Sequence, residues 1–121
     1  MKVFISQPMN GVAEEEVLAT RQGIFEAFTK LVKSDDPVEL IDSYHKTNIP
    51  ENAGRLWFLG NSISLMDQAD IVIFAPGWSE AKGCALEFSV TCAYDKEGLK
   101  AVWVDGEWKF RKIDLLTNEG E

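Results

Sequence analysis

Hydrophobic residues follow two different patterns along the chain. Short runs rich in β-branched and aromatic residues predict β-strands, whereas longer stretches in which hydrophobic residues recur every three or four positions predict amphipathic helices. The two patterns alternate as far as about position 104. The predicted elements are, in chain order, strand 2–6, helix 13–33, strand 38–41, helix 56–68, strand 71–75, helix 83–95 and strand 99–104.

The predicted strand 71–75 is the most strongly marked element, because its sequence IVIFA contains no polar position. An unbroken hydrophobic run is typical of a strand that is covered on both faces, as the strands of parallel sheets are. With the alternation of strands and helices, it predicts one domain, residues 1–121, and a flavodoxin-like (Rossmann-like) α/β fold. In that fold a doubly wound, mainly parallel sheet has helices on both faces, and we expect 71–75 at its centre.

The end of the chain predicts an addition to this pattern. Asp105-Gly106 is typical of a two-residue hairpin turn, so we expect residues 107–115 to add a further strand, or a strand and a short helix. Trp103 and Trp108 flank the turn and are expected to belong to the core of the sheet.

Three loops leave the carboxyl ends of the predicted strands, where ligands bind in open α/β sheets. They span residues 7–12, 42–54 and 76–83. Backbone N–H groups in the first loop can hold a phosphate or a sugar hydroxyl, although the same residues also suit a plain strand–helix turn. The candidate binding residues there are Ser6, Gln7, Pro8, Met9, Asn10 and Gly11. Asp42, in the second loop, can orient a ligand or be a solvated surface charge.

Glu87 is the candidate catalytic residue, because it falls at or just beyond the first turn of predicted helix 83–95. Trp78, in the preceding loop, offers a flat surface on which a nucleobase can stack. A glutamate in such a crevice can act as a nucleophile or a general base. It can equally do no more than interact with the positive end of the helix dipole.

Composition excludes several classes of protein. The chain has 121 residues and a net charge of −8, and a surface this acidic repels a nucleic-acid polymer without excluding a single nucleotide. Cys84 and Cys92, eight residues apart on one predicted helix, are too far apart for a disulfide. His45 is the single histidine, and no ligand cluster predicts a metal or another cofactor.

The chain is expected to be cytoplasmic. It begins directly with a strand pattern, without the apolar segment of a secretion signal, and its apolar runs are too short to span a bilayer. Trp57, Phe58 and Phe88 are more large apolar residues than the faces of two short helices need to bury. We therefore also expect a homo-oligomer with these helices at the contact.

Several segments together resemble a family of small bacterial and phage proteins known as DUF4406, over residues 1 to about 104. The family is in turn similar, more distantly, to nucleoside 2-deoxyribosyltransferases and deoxynucleoside 5′-monophosphate N-glycosidases. The matching segments read KVFISQPMNG from Lys2, LGNSI from Leu59, ADIV from Ala69, APGW from Ala75 and GCALE from Gly83.

The resemblance implies roles for particular residues. In the enzymes, a glutamate four residues after a glycine attacks the anomeric carbon of deoxyribose, and Gly83 and Glu87 match that spacing. It also implies that residues 6–11 contact the sugar or its 5′ group. Ala81 and Ser62 stand where the enzymes commonly carry aspartates.

The sequence therefore predicts an N-glycosidase or N-deoxyribosyltransferase that cleaves the base–sugar bond of a nucleoside or nucleotide. The small molecule is its expected partner, with neither a nucleic-acid polymer nor a membrane. The alternative, which Ala81 and Ser62 favour, is a non-catalytic nucleotide-binding or sensing module, or a phage accessory protein, on the same fold.

Overall fold

A computed structural model of the chain describes residues 1–33, 35–43 and 49–113. Strands and helices alternate along it as the sequence predicts. The elements are β1 (Lys2–Ser6), α1 (Glu14–Leu31), β2 (Glu39–Leu40), α2 (Arg55–Met66), β3 (Ile71–Phe74), a 3₁₀ turn (Trp78–Glu80), α3 (Lys82–Ala93), β4 (Gly98–Val104) and β5 (Glu107–Lys112).

The five strands form one mixed sheet in the order β2-β1-β3-β4-β5. β1 pairs in parallel with β2 and β3, and β3 pairs in parallel with β4, while β5 is antiparallel to β4. The predicted α/β class and the mainly parallel sheet are confirmed, and β3 is its central strand.

Hydrophobic residues of the sheet divide into two clusters, because successive side chains of a strand point to opposite faces. Val3 and Ile5 of β1 pack with Ile24 and Phe28 of α1. On the other side, Phe4 packs with residues of α2 and α3, among them Met66 and Phe88. The four residues of β3 are all buried, as the unbroken apolar run predicts.

The hairpin at the end of the sheet forms as predicted, but one of its tryptophans does not belong to the core. Trp108 packs against the cluster that contains α1. Trp103 is 59% exposed, so its assignment to the core was wrong. The two indoles contact each other edge to face, with ring centroids 5.1 Å apart. The predicted strand 107–115 extends beyond position 113, where the described residues end.

Among the described residues, no helix has the length and hydrophobicity that crossing a membrane requires.

The hairpin turn gives a test of the fold. Gly106 has φ +79° and nothing within 4 Å of an added Cβ, so Gly106→Ala should destabilise the protein by about 1 kcal/mol through backbone strain alone. Gly60, inside α2, also has open space around it, so Gly60→Ala should stabilise by about 0.5–1 kcal/mol. Urea unfolding of both variants measures these opposite signs, and a neutral Gly106→Ala would contradict the turn.

Candidate active site

The loops that follow β1 and β3 lie side by side at the carboxyl edge of the sheet. Ser6, the last residue of β1, is in register with Phe74, the last residue of β3. Beyond the strands the loops stay in contact, since a Cβ on Gly77 would lie 3.5 Å from Cγ of Pro8. Gly77 has φ +87°, which a residue with a side chain rarely adopts. The sheet thus brings the first and third predicted ligand loops together.

Glu87 lies in the second turn of α3, and its side chain faces the interior. Helix α3 begins at Lys82, with Ala81 as its N-cap residue and no side chain capping the end. The buried residues of α3 form one stripe, made of Cys84, Glu87, Phe88 and Thr91. Because the effect of a helix dipole falls off within the first turn, this position does not favour dipole capping as the role of Glu87.

Ser6 holds the Glu87 carboxylate. The Ser6 hydroxyl donates a hydrogen bond of 2.5 Å to Oε1 of Glu87. Ser6 is 2% exposed and Glu87 is 7% exposed, so little water competes for the contact. A short hydrogen bond from a hydroxyl to a carboxylate is stronger than one between neutral groups, and it fixes the orientation of the carboxylate.

Arg21 joins this cluster, although the sequence analysis did not identify it. It belongs to α1 and is 5% exposed. Its Nη2 donates a 3.4 Å hydrogen bond to the carbonyl of Ile5, while Nε and Nη1 have no hydrogen-bond partner in the structure. One signal in the sequence marks it: Arg21 continues the buried stripe of Val17, Ile24 and Phe28 at helical spacing, where a charge is unusual.

Burial dominates the electrostatics of the site. It raises the pKa of Glu87, and the hydrogen bond from Ser6 and the charge of Arg21 oppose that rise. Burial lowers the pKa of the Arg21 guanidinium, against the charges of Asp42 and Glu87. The pKa of Cys84 is raised to about 11, chiefly by burial, so its thiol is not a nucleophile at neutral pH.

The first loop divides into a buried part and an exposed part. Gln7 is buried and turns toward α1, where its Nε2 donates a 2.8 Å hydrogen bond to the carbonyl of Val17. Its Oε1 has no hydrogen-bond partner in the structure. Met9, Asn10 and Gly11 are exposed and form a turn closed by a hydrogen bond from the Val12 amide to Met9. Among the described residues of the predicted loop site, only Ser6 therefore forms a hydrogen bond with Glu87.

Of the other predicted residues, Asp42 acts on Arg21 through its charge. Trp78 stacks on Phe88 with ring centroids 4.4 Å apart, which covers one face of the indole that was expected to hold a base. Gly83 faces α2, where a Cβ would lie 3.8 Å from Leu59. Ser62 is half-buried on α2, and Asp42 is exposed after β2. His45 lies outside the described residues.

The described residues contain no group of three or more His, Cys, Asp or Glu side chains that could hold a metal ion. Comparison with known proteins adds no relative, because no family model, curated protein or solved structure matches the chain.

The buried carboxylate makes stability depend on pH. Folding raises the pKa of Glu87. The contribution of Glu87 to the free energy of unfolding is therefore fully present below its pKa in the unfolded chain, and it is lost as the pH rises through its pKa in the folded protein. We expect the wild type to lose stability relative to Glu87→Gln as the pH rises from about 4 through neutrality. Urea unfolding across that range measures the difference.

A matched control is Glu80→Gln, which removes an exposed carboxylate from the loop before α3. It reports the effect of one surface charge on stability. A stability difference between wild type and Glu87→Gln that stays constant with pH would contradict the raised pKa.

Proposed function

We propose that this protein is an N-glycosidase or N-deoxyribosyltransferase in which Glu87 attacks the anomeric carbon of a nucleoside or nucleotide. The observation that carries the proposal is the hydrogen bond between Ser6 and Glu87, buried where the loops after β1 and β3 meet. An oriented carboxylate at the carboxyl edge of a parallel sheet is in the position where α/β proteins hold ligands.

The strand order supports a flavodoxin-like, doubly wound fold as part of this proposal. The order β2-β1-β3-β4 reverses between β1 and β3, and the loops beside Glu87 leave the sheet at this switch point. Residues of α1 and residues of α2 and α3 pack in separate clusters. The resemblance to the DUF4406 family, and through it to deoxyribosyltransferases, agrees with this arrangement.

The chemistry balances without a cofactor. As the bond between C1′ and the base breaks, its electron pair leaves with the base, and C1′ acquires oxocarbenium character. A Glu87 oxygen forms a bond to C1′, which gives a glycosyl ester. In hydrolysis, a water oxygen then displaces the carboxylate from C1′, and the proton that water loses balances the one that the base has taken up. In transfer, a second base takes the place of water.

Ser6 and the helix stripe give Glu87 its orientation in this scheme. The Ser6 hydroxyl stabilises the charged carboxylate by its hydrogen bond to Oε1. The same bond fixes the plane of the carboxylate, and with it the direction in which Oε2 points. Low exposure limits competing water, which favours attack on a bound sugar.

A non-catalytic nucleotide-binding module is the second candidate. Two observations favour it: burial raises the pKa of Glu87, and Ala81 and Ser62 replace the aspartates of the related enzymes. Without those carboxylates, the leaving base has fewer proton donors near it. Such a protein binds the ligand and releases no base. In either case the net charge of −8 favours a small molecule over a nucleic-acid polymer.

Base release from a panel of nucleosides and nucleotides, followed by chromatography, tests the enzyme. For a substrate that the wild type turns over, we expect Glu87→Ala to lower the rate by roughly 10²-fold or more, because the attacking group is lost. Ser6→Ala should lower it by roughly ten- to 10²-fold, because a hydrogen bond to a charged group contributes about 1.5–3 kcal/mol.

Glu97→Gln is the matched control, since Glu97 is an exposed carboxylate just before β4, at the opposite edge of the sheet. It should keep the wild-type rate. Binding of a nucleotide by calorimetry without release of base would support the second candidate. Base release that survives in Glu87→Ala would contradict Glu87 as the nucleophile.

We further propose that the protein is a homodimer through the exposed faces of α2 and α3. α2 has 12 residues but buries only Met66. Leu56 is 80% exposed, Phe58 is 39% exposed, and Leu86 of α3 is 49% exposed. Residues of α2 and α3 pack in the same cluster, so the two helices lie on one side of the sheet. A second copy would cover this apolar surface.

Light scattering at micromolar concentration is expected to give twice the chain mass, and Leu56→Glu should shift the protein toward monomer. The control is Leu31→Glu, which places the same charge on a residue of α1 that is 61% exposed. A wild-type monomer, or an equal effect of the two substitutions, would contradict this interface.

A further inference from the structure

Arg21 is the least expected residue in the interior. Its side chain is 5% exposed, and two of its three nitrogens have no hydrogen-bond partner in the structure. An arginine keeps its proton in a protein, so the guanidinium remains a buried cation. A buried charge is strongly unfavourable unless an opposite charge lies near it.

The backbone of β1 brings Arg21 close to Glu87. Arg21 extends from α1 and donates to the carbonyl of Ile5. Glu87 extends from α3 and accepts from the hydroxyl of Ser6, the next residue of the same strand. The cation and the carboxylate are therefore held by consecutive residues at the end of β1, and the charge of Arg21 acts on Glu87.

Among the described residues, Arg21 is the only cation whose charge affects the pKa of Glu87. From β1 comes the neutral hydroxyl of Ser6, and from α3 the neutral thiol of Cys84. Asp42, after β2, is exposed, and its charge acts on Arg21 more strongly than the charge of Glu87 does. Glu87, at 7% exposure, is the buried negative partner.

We propose that Arg21 is a positioning residue, which holds the Glu87 carboxylate in its charged form through the end of β1. The value of this charge for catalysis rests on the proposed function, in which Glu87 reacts as a carboxylate. The pairing of the two charges does not depend on that function.

The test is an NMR titration of Glu87 in the ligand-free protein, with its side-chain carboxyl signal assigned through Glu87→Gln. We compare wild type, Arg21→Met, which removes the charge with little change in size, and Arg21→Lys, which keeps the charge. The titration midpoint should rise by about one pH unit or more in Arg21→Met. In Arg21→Lys it should stay closer to the wild-type midpoint.

Arg111→Met is the matched control, because Arg111 is an exposed arginine of β5. The titration midpoint of Glu87 in Arg111→Met should equal the midpoint in the wild type. An unchanged midpoint in Arg21→Met would overturn the proposal, as would an equal rise in Arg21→Lys and Arg21→Met.

If Arg21→Met does not fold, the double variant Arg21→Met/Glu87→Gln decides the question. Recovery of folding in the double variant supports the pairing, because it removes the charge that Arg21 balances. A double variant that also remains unfolded contradicts the pairing, since the loss of folding then does not depend on the charge of Glu87.

Activity separates this proposal from the proposed function. If the wild type releases base, the acidic limb of its pH–rate profile should move upward in Arg21→Met by the same shift as the titration midpoint. Absence of base release with a shifted midpoint refutes the enzyme and leaves the pairing. Base release with an unshifted midpoint refutes the pairing and leaves the enzyme.

Discussion

The parallel pairing of β1 with β3 is the constraint on which the arrangement of this protein depends. The register runs from Val3 opposite Ile71 to Ser6 opposite Phe74, so both strands end at the same edge. Strands that are parallel and adjacent need connections that cross over the faces of the sheet. Helices then cover the sheet, and the loops that enter α1 and α3 lie side by side because they follow adjacent parallel strands.

This pairing also explains why polar groups are buried at that edge. The alternation of side chains along β1 places Phe4 among the apolar residues near α3 and puts Ser6, two positions later, in front of Glu87. Ile5, between them, packs toward α1 and offers its carbonyl to Arg21. Buried polar and charged groups of this kind contribute less to stability than apolar residues of similar size would, which favours a chemical role for the cluster.

Local patterns predicted what local forces decide. The apolar run of residues 71–75 predicts a strand, and the acidic first turn supports a helix after the first loop. The structure contains both, as β3 and α1. Trp103 shows what these patterns miss. Alternation marks it as a strand residue, but a strand residue is buried only where a helix covers its face of the sheet, and no described helix covers this indole. The site divides in the same way. The sequence marks Glu87 by its place near the start of a predicted helix and by a family resemblance, whereas its hydrogen bond with Ser6 joins residues distant in sequence and needs the sheet.

The charge balance around Glu87 also bears on the two candidate functions. In a site with two carboxylates, one acts as nucleophile while the other, with a raised pKa, protonates the leaving group. Here burial raises the pKa of Glu87, the one buried carboxylate among the described residues, and Ser6 and Arg21 oppose the rise. One group cannot be fully charged for attack and protonated for donation in the same step. An enzyme built on this site therefore depends on solvent, or on the substrate itself, to protonate the base, and it favours bases that leave readily. A binding module has no such requirement, and for it the same cation and carboxylate serve as a fixed pair of opposite charges against which a sugar can be oriented.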